Sequence, residues 1–133
     1  MDSLEIKQYA DTMFAQMGGD RFLVTTGSKL DCYGKDNDGN PFIIFKLCDL
    51  RPYLPNQKVR PNRFMITLDL CSDTYRLEFY RLTTANYDFR TGKASTVCKE
   101  IVTEYEDVYC DQLQDIFEKD TKLLLDFCRV HFG

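Results

Sequence analysis

The chain has 133 residues, a formal net charge of −4, 44% hydrophobic and 14% aromatic residues, and one histidine, His131. With so little histidine, catalytic triads, His-rich zinc sites and His general bases would all fall to a single terminal residue, so most His-dependent chemistry is excluded. About 100 to 200 residues per domain is the usual range, so residues 1–133 are expected to form a single domain, and ten Phe and eight Tyr suffice for one core.

Residues 2–17 open the chain with Ile6, Tyr9, Ala10, Met13, Phe14 and Met17 at the three-and-four spacing of an amphipathic helix, and Asp2 and Glu5 sit at capping-box spacing. Gly18 and Gly19 suit the left-handed conformation that ends a helix. The run 21–26, rich in aromatic and β-branched residues, then reads as a strand.

Two apolar runs, 29–34 and 41–47, flank Lys35-Asp-Asn-Asp-Gly-Asn40, whose turn chemistry predicts a hairpin. Read as a calcium loop, that segment would place Gly34 at the first ligand position and Phe45 at the twelfth, which favours a turn over an EF-hand. Residues 49–62, DLRPYLPNQKVRPN, hold three prolines and read as a long exposed loop.

Residues 64–70 and 75–82 alternate apolar and polar side chains around the turn Cys71-Ser-Asp-Thr74, a second hairpin. A turn over 86–93 leads into a strand over 95–105 with Val97, Ile101 and Val102 or Tyr105 on its buried face. Leu113, Ile116, Phe117, Leu124, Phe127 and Cys128 form the stripe of a C-terminal helix with Asp107 as its N-cap, and Leu123, Leu124 and Leu125 widen its apolar face. The expected fold is α+β: a five- or six-stranded, mostly antiparallel sheet flanked by an N-terminal and a C-terminal helix.

The six cysteines are at least twelve residues apart and form no CxxC motif, so they read as reduced, with Cys48, Cys71, Cys98 and Cys128 as small buried apolar residues. No metal site and no cofactor are expected. The signatures GxxxxGK[ST], GxGxxG, HExxH and GxSxG are missing, and no catalytic residues are assigned, so a non-enzymatic role is expected. A polar N-terminus and the lack of a run of roughly 18 apolar residues predict a soluble, cytoplasmic chain with no membrane partner.

Charge is uneven. Residues 41–99 carry ten Lys or Arg against five acids, while residues 100–133 carry three against nine. The basic share gathers around the proline loop at Arg51, Tyr53, Lys58, Arg60 and Arg63, where cations beside aromatic rings suit phosphates and bases. The acidic share includes Glu104, Asp107, Asp111, Asp115 and Glu118, a surface fit for a basic partner; acids in a first helical turn also complement the helix dipole.

Three blocks, Met17-Gly-Gly-Asp-Arg-Phe-Leu-Val-Thr-Thr-Gly-Ser-Lys29, Ile66-Thr-Leu with Asp73-Thr-Tyr-Arg-Leu-Glu-Phe-Tyr80, and Val108-Tyr-Cys-Asp-Gln-Leu-Gln-Asp-Ile-Phe-Glu-Lys119, resemble a family of small phage and prophage proteins. The proline loop and residues 126–133 depart from that pattern. The resemblance implies an origin in a bacterial host cell and carries over no ligand or catalytic residue. It also implies a class of accessory proteins that bind a host or phage macromolecule, including inhibitors of defence systems such as CRISPR effectors or restriction enzymes. A protein partner bound through the acidic face is the leading expectation, and a nucleic acid bound through loop 51–63 is the alternative.

Overall fold

The computed structural model describes residues 2–88, 90 and 92–125, with the side chains of 84–88 and 93–96 outside that description. Helix α1 (Ser3–Met17) begins where the Asp2 carboxylate accepts the Glu5 N–H at 2.9 Å, and it buries Ala10, Met13 and Met17. It ends at Gly18, whose φ of 118° lets its N–H and that of Gly19 return to the Ala15 and Phe14 carbonyls.

The run expected to enter a strand is instead a second helix, α2 (Asp20–Thr26). The correction has a packing cause. Gly19, at φ 63°, turns the chain so that Phe22 docks edge-on to Phe45 and Phe117, at centroid distances of 5.1 and 5.0 Å. Phe22 and Thr26 then share the buried side of one turn, and the Thr26 hydroxyl donates to the Phe22 carbonyl. Burial of this pair overrides the strand preference of the intervening residues.

Five strands follow: β1 (Lys29–Lys35), β2 (Pro41–Lys46), β3 (Arg63–Asp69), β4 (Thr74–Asp88) and β5 (Lys93–Val108). They pair in chain order, every neighbour antiparallel, so the fold is the expected α+β architecture with five strands. Both expected hairpins are present. In the first turn, the Asp36 carboxylate accepts the N–H groups of Asp38 and Asn40, and Gly39 takes φ 80°.

Register builds the core. Phe45 lies opposite Phe64 and Phe64 opposite Phe79, so three rings run across the middle of one sheet face. The Phe64 and Phe79 centroids are 4.6 Å apart. Phe14 of α1, Phe22 of α2 and Phe117 of the last helix close on that ladder, which puts all three helices on the same face. Each pair adds on the order of 1 kcal/mol beyond its burial.

Strand β5 is an edge, and Val97, 59% exposed, and Ile101 do not form the buried face expected of them. The strands β4 and β5 also run past the end of β3, so 81–88 and 93–100 pair only with each other as a two-stranded arm, with the loop before β3 against its root. Cys32, Cys71, Cys98 and Cys110 are exposed and Cys48 is half-buried, all as free thiols. The expected burial of Cys71 and Cys98 fails because one lies in the β3–β4 turn and the other on the edge strand.

The C-terminal helix is shorter than its stripe suggests. Asp107 is not its cap: at φ 55° it is still within β5, and a 3-10 turn (Cys110–Gln112) precedes α3 (Leu113–Thr121). The helix stops at Lys122, in the left-handed conformation, and the chain continues with Leu123 and Leu125 buried and Leu124 65% exposed. An extended alternation, rather than a wider helical face, places these leucines. The expected stripe residues Phe127 and Cys128, and His131, lie outside the described residues. Among the described residues no helix is long and apolar enough to cross a membrane.

Candidate binding surfaces at the two ends of the sheet

The proline loop is not merely exposed. Leu50 and Leu54 are buried in the core, and Asn62 fastens the loop's end to the sheet: its side-chain oxygen accepts the Leu82 N–H at 2.8 Å and its amide donates to the Leu82 carbonyl at 2.9 Å. Asn62 thus extends the β3 ladder by one side chain where the backbone pairing ends. Between the loop and the root of the β4–β5 arm opens a cleft of about 690 Å³.

Four cations line it: Arg51, Lys58, Arg60 and Arg81. Arg60 Nε donates to the Leu54 carbonyl at 2.7 Å and its Nη2 to the Pro55 carbonyl at 3.0 Å. Arg81 Nη1 in turn donates to the Arg60 carbonyl at 3.1 Å. Carbonyl dipoles orient a guanidinium without cancelling its charge, and each fork has further N–H groups. Arg51 differs, since Asp49 meets it at 2.6 Å and that contact holds the Asp49 carboxyl below the usual range. Among the described residues Lys58, Arg60 and Arg81 form no ion pair, although Asp49 and Glu100 also wall the cleft.

Of the five residues expected to form a basic surface, the structure brings Arg51, Lys58 and Arg60 together. Tyr53 is exposed on the same loop but does not line the cleft. Arg63 is elsewhere, pairing with Asp31 at 3.1 Å. Arg81 was not legible as a member. Its alternation marks it as an outward strand residue, and only the register of β4 against β3 shows that it meets the loop.

The acids divide likewise. Glu104 walls a smaller cavity of about 240 Å³ with Thr67, Arg76, Glu78 and Lys99. There Arg76 meets Asp36 at 3.1 Å and Lys99 meets Glu78 at 3.2 Å, so the charges largely pair among themselves. Glu118 is engaged by its own helix end, where its carboxylate accepts the Leu125 N–H at 2.7 Å and its carbonyl accepts that of Lys122. Asp107, Asp111 and Asp115 are exposed and, among the described residues, form no ion pair.

Tyr109, absent from the expected site, lies between Asp107 and Asp111 in the chain and is 61% exposed. Its backbone is fixed: the N–H donates to Gln112 Oε1 at 3.0 Å. Nearby, Tyr105 donates to Asp120 Oδ1 at 2.9 Å, tying β5 to α3. Burial pushes the Asp120 carboxyl up, and burial beside Asp120 pushes the Tyr105 hydroxyl up to about 12.

Among the described residues no group of three or more His, Cys, Asp and Glu is placed to hold a metal ion. No protein-family model, curated protein or solved structure matches this chain.

Proposed function

We propose that this chain is a non-enzymatic accessory protein that docks a basic host or phage protein through the anionic end of its sheet, in the manner of an inhibitor of a bacterial defence system. The observation that carries the reading is Tyr109: a large aromatic ring, 61% exposed on a backbone tied to Gln112, in a segment whose Asp107, Asp111 and Asp115 are exposed and form no ion pair among the described residues. An exposed aromatic anchor inside a rim of one charge sign is the composition of an interface centre, where the ring supplies burial and the acids steer a cationic partner.

The test is a tagged pull-down from nuclease-treated bacterial lysate, read by mass spectrometry, with the wild-type chain beside Tyr109→Ala and Asp111→Lys/Asp115→Lys. Glu118 is left intact because it holds the helix end. A basic protein recovered at near-equal stoichiometry, lost in both variants, supports the reading. Loss of the ring is expected to cost about 2 kcal/mol of affinity or more. A partner retained by both variants would remove the anionic end from the interface.

A further inference from the structure

We propose a second site: the cleft between loop 49–62 and the root of the β4–β5 arm binds the phosphodiester backbone of a single-stranded nucleic acid. The inference does not rest on the proposed protein partner, since it concerns the opposite end of the sheet.

Three features favour phosphate there. Arg60 and Arg81 present forks already fixed by the Leu54, Pro55 and Arg60 carbonyls, so little side-chain freedom is lost when an oxyanion binds. Lys58 adds an exposed point charge from the loop side, and none of the three forms an ion pair among the described residues, although Asp49 is near enough to Arg60 to feel its charge and Glu100 stands opposite Arg81 in the strand register. The apolar floor, with Leu47, Leu50, Val59 and Pro61, keeps water from one side of the cations, and that strengthens their field.

The remaining geometry favours a strand over a free phosphate or a duplex. The cations come from both walls of the cleft, Arg51, Lys58 and Arg60 from the loop and Arg81 from β4, and no helix residue lines it, so no helix N-terminus adds backbone donors of the kind that cradle a single phosphate group. Tyr53 stands exposed on the same loop, outside the cleft lining, and offers a ring on which a base of the bound strand can stack. A duplex would need a groove-filling element, whereas this site is concave and lies between a loop and a ribbon.

The experiment is fluorescence anisotropy of a labelled oligothymidylate of roughly twelve nucleotides, a length that fills a site of this kind. Contacts from three cations predict a slope of log K against log salt of about −2, so affinity falls about 20-fold between about 50 and about 200 mM salt. Lys58→Glu/Arg81→Glu is expected to lower affinity at least about tenfold, and Lys7→Glu, the same kind of charge reversal on α1, by less than about twofold. Glu100→Gln is expected to raise it. Circular dichroism of each variant checks folding, and because Arg60 holds the loop together it is left unchanged.

A loss for the cleft variant no larger, per reversed charge, than that for Lys7→Glu would reduce the binding to net charge and overturn the site. So would the absence of binding at the lower salt concentration. Displacement of the oligonucleotide by thymidine monophosphate at equal phosphate concentration would assign the cleft to free phosphate groups and overturn the strand.

Discussion

At one end of the sheet, where Leu47 leaves β2 and Asn62 leads into β3, cations are held in place by backbone carbonyls; at the other, where β5 gives way to the 3-10 turn, exposed acids flank an exposed tyrosine along the chain. Tyr75 pairs with Val108 and Arg81 with Glu100, so about 20 Å of strand, at roughly 3.3 Å per residue, separates the two regions. On the sheet between them, opposite charges meet across strands, as in Arg63–Asp31, Arg76–Asp36 and Lys99–Glu78. At the cleft end Arg60 and Arg81 turn to backbone carbonyls although Asp49 and Glu100 line the same cleft, so the charge left there follows from where the loop carbonyls hold the guanidinium groups rather than from a lack of nearby acids.

Both ends rest on one aromatic core, and weakening it perturbs them together. Phe64 stands in the aromatic ladder between Phe45 and Phe79 with Phe117 above it. Phe64→Ala is expected to cost about 3–5 kcal/mol in denaturant unfolding and to loosen both ends together.

Asn62→Ala separates them. Losing both hydrogen bonds to Leu82 is expected to cost about 1–2 kcal/mol and to raise amide exchange over 47–62 and 81–83 while leaving 107–115 protected as before. Equal exchange at both ends would show that the cleft is not an independently fastened unit.

Tyr109→Ala and Asp111→Lys sharpen the contrast from the other side. Both side chains are exposed, so a stability change under about 0.5 kcal/mol is expected together with lost partner binding. A large fall in melting temperature would make Tyr109 structural.

The smallest effect is a pH dependence from Asp120. Its carboxyl titrates above the ordinary 3.8 in the fold, chiefly because burial penalises the charge, although Tyr105, Lys119 and Lys122 favour ionisation. Between the unfolded value and the raised folded one, the native state binds more protons, so stability falls as pH rises through that window. Asp120→Asn retains an acceptor for Tyr105 and is expected to flatten this slope and gain a few tenths, under about 1 kcal/mol, at neutral pH. An unchanged slope in urea titrations just above pH 4 would place the dependence elsewhere.

Much of the fold was legible because its signals are local. The spacing in α1, the turn chemistry at Asp36–Gly39 and the alternation in β3 and β4 each concern residues a few positions apart. The errors arise where a distant partner decides. The strand-like run of α2 is made helical by Phe45 and Phe117, and the stripe of α3 is cut short where the chain turns at Lys122 to bury Leu123 and Leu125. The sites divide the same way. Arg51, Lys58 and Arg60 share one loop and were visible as a group, whereas Arg81 joins them through strand register and Arg63 leaves them through its ion pair with Asp31. Glu104 and Asp111 belong together in sequence, yet strand alternation turns Glu104 toward the cavity of Arg76 and Lys99.

The most direct measurement of whether the two ends act separately is an amide-proton and nitrogen correlation spectrum of the isotopically labelled chain, titrated with the oligothymidylate. Shifts confined to 47–62, 81–83 and the neighbourhood of Glu100, with 107–115 unmoved, are the predicted result. Shifts at Tyr109 and Asp111, or changes scattered without regard to the cleft, would contradict it.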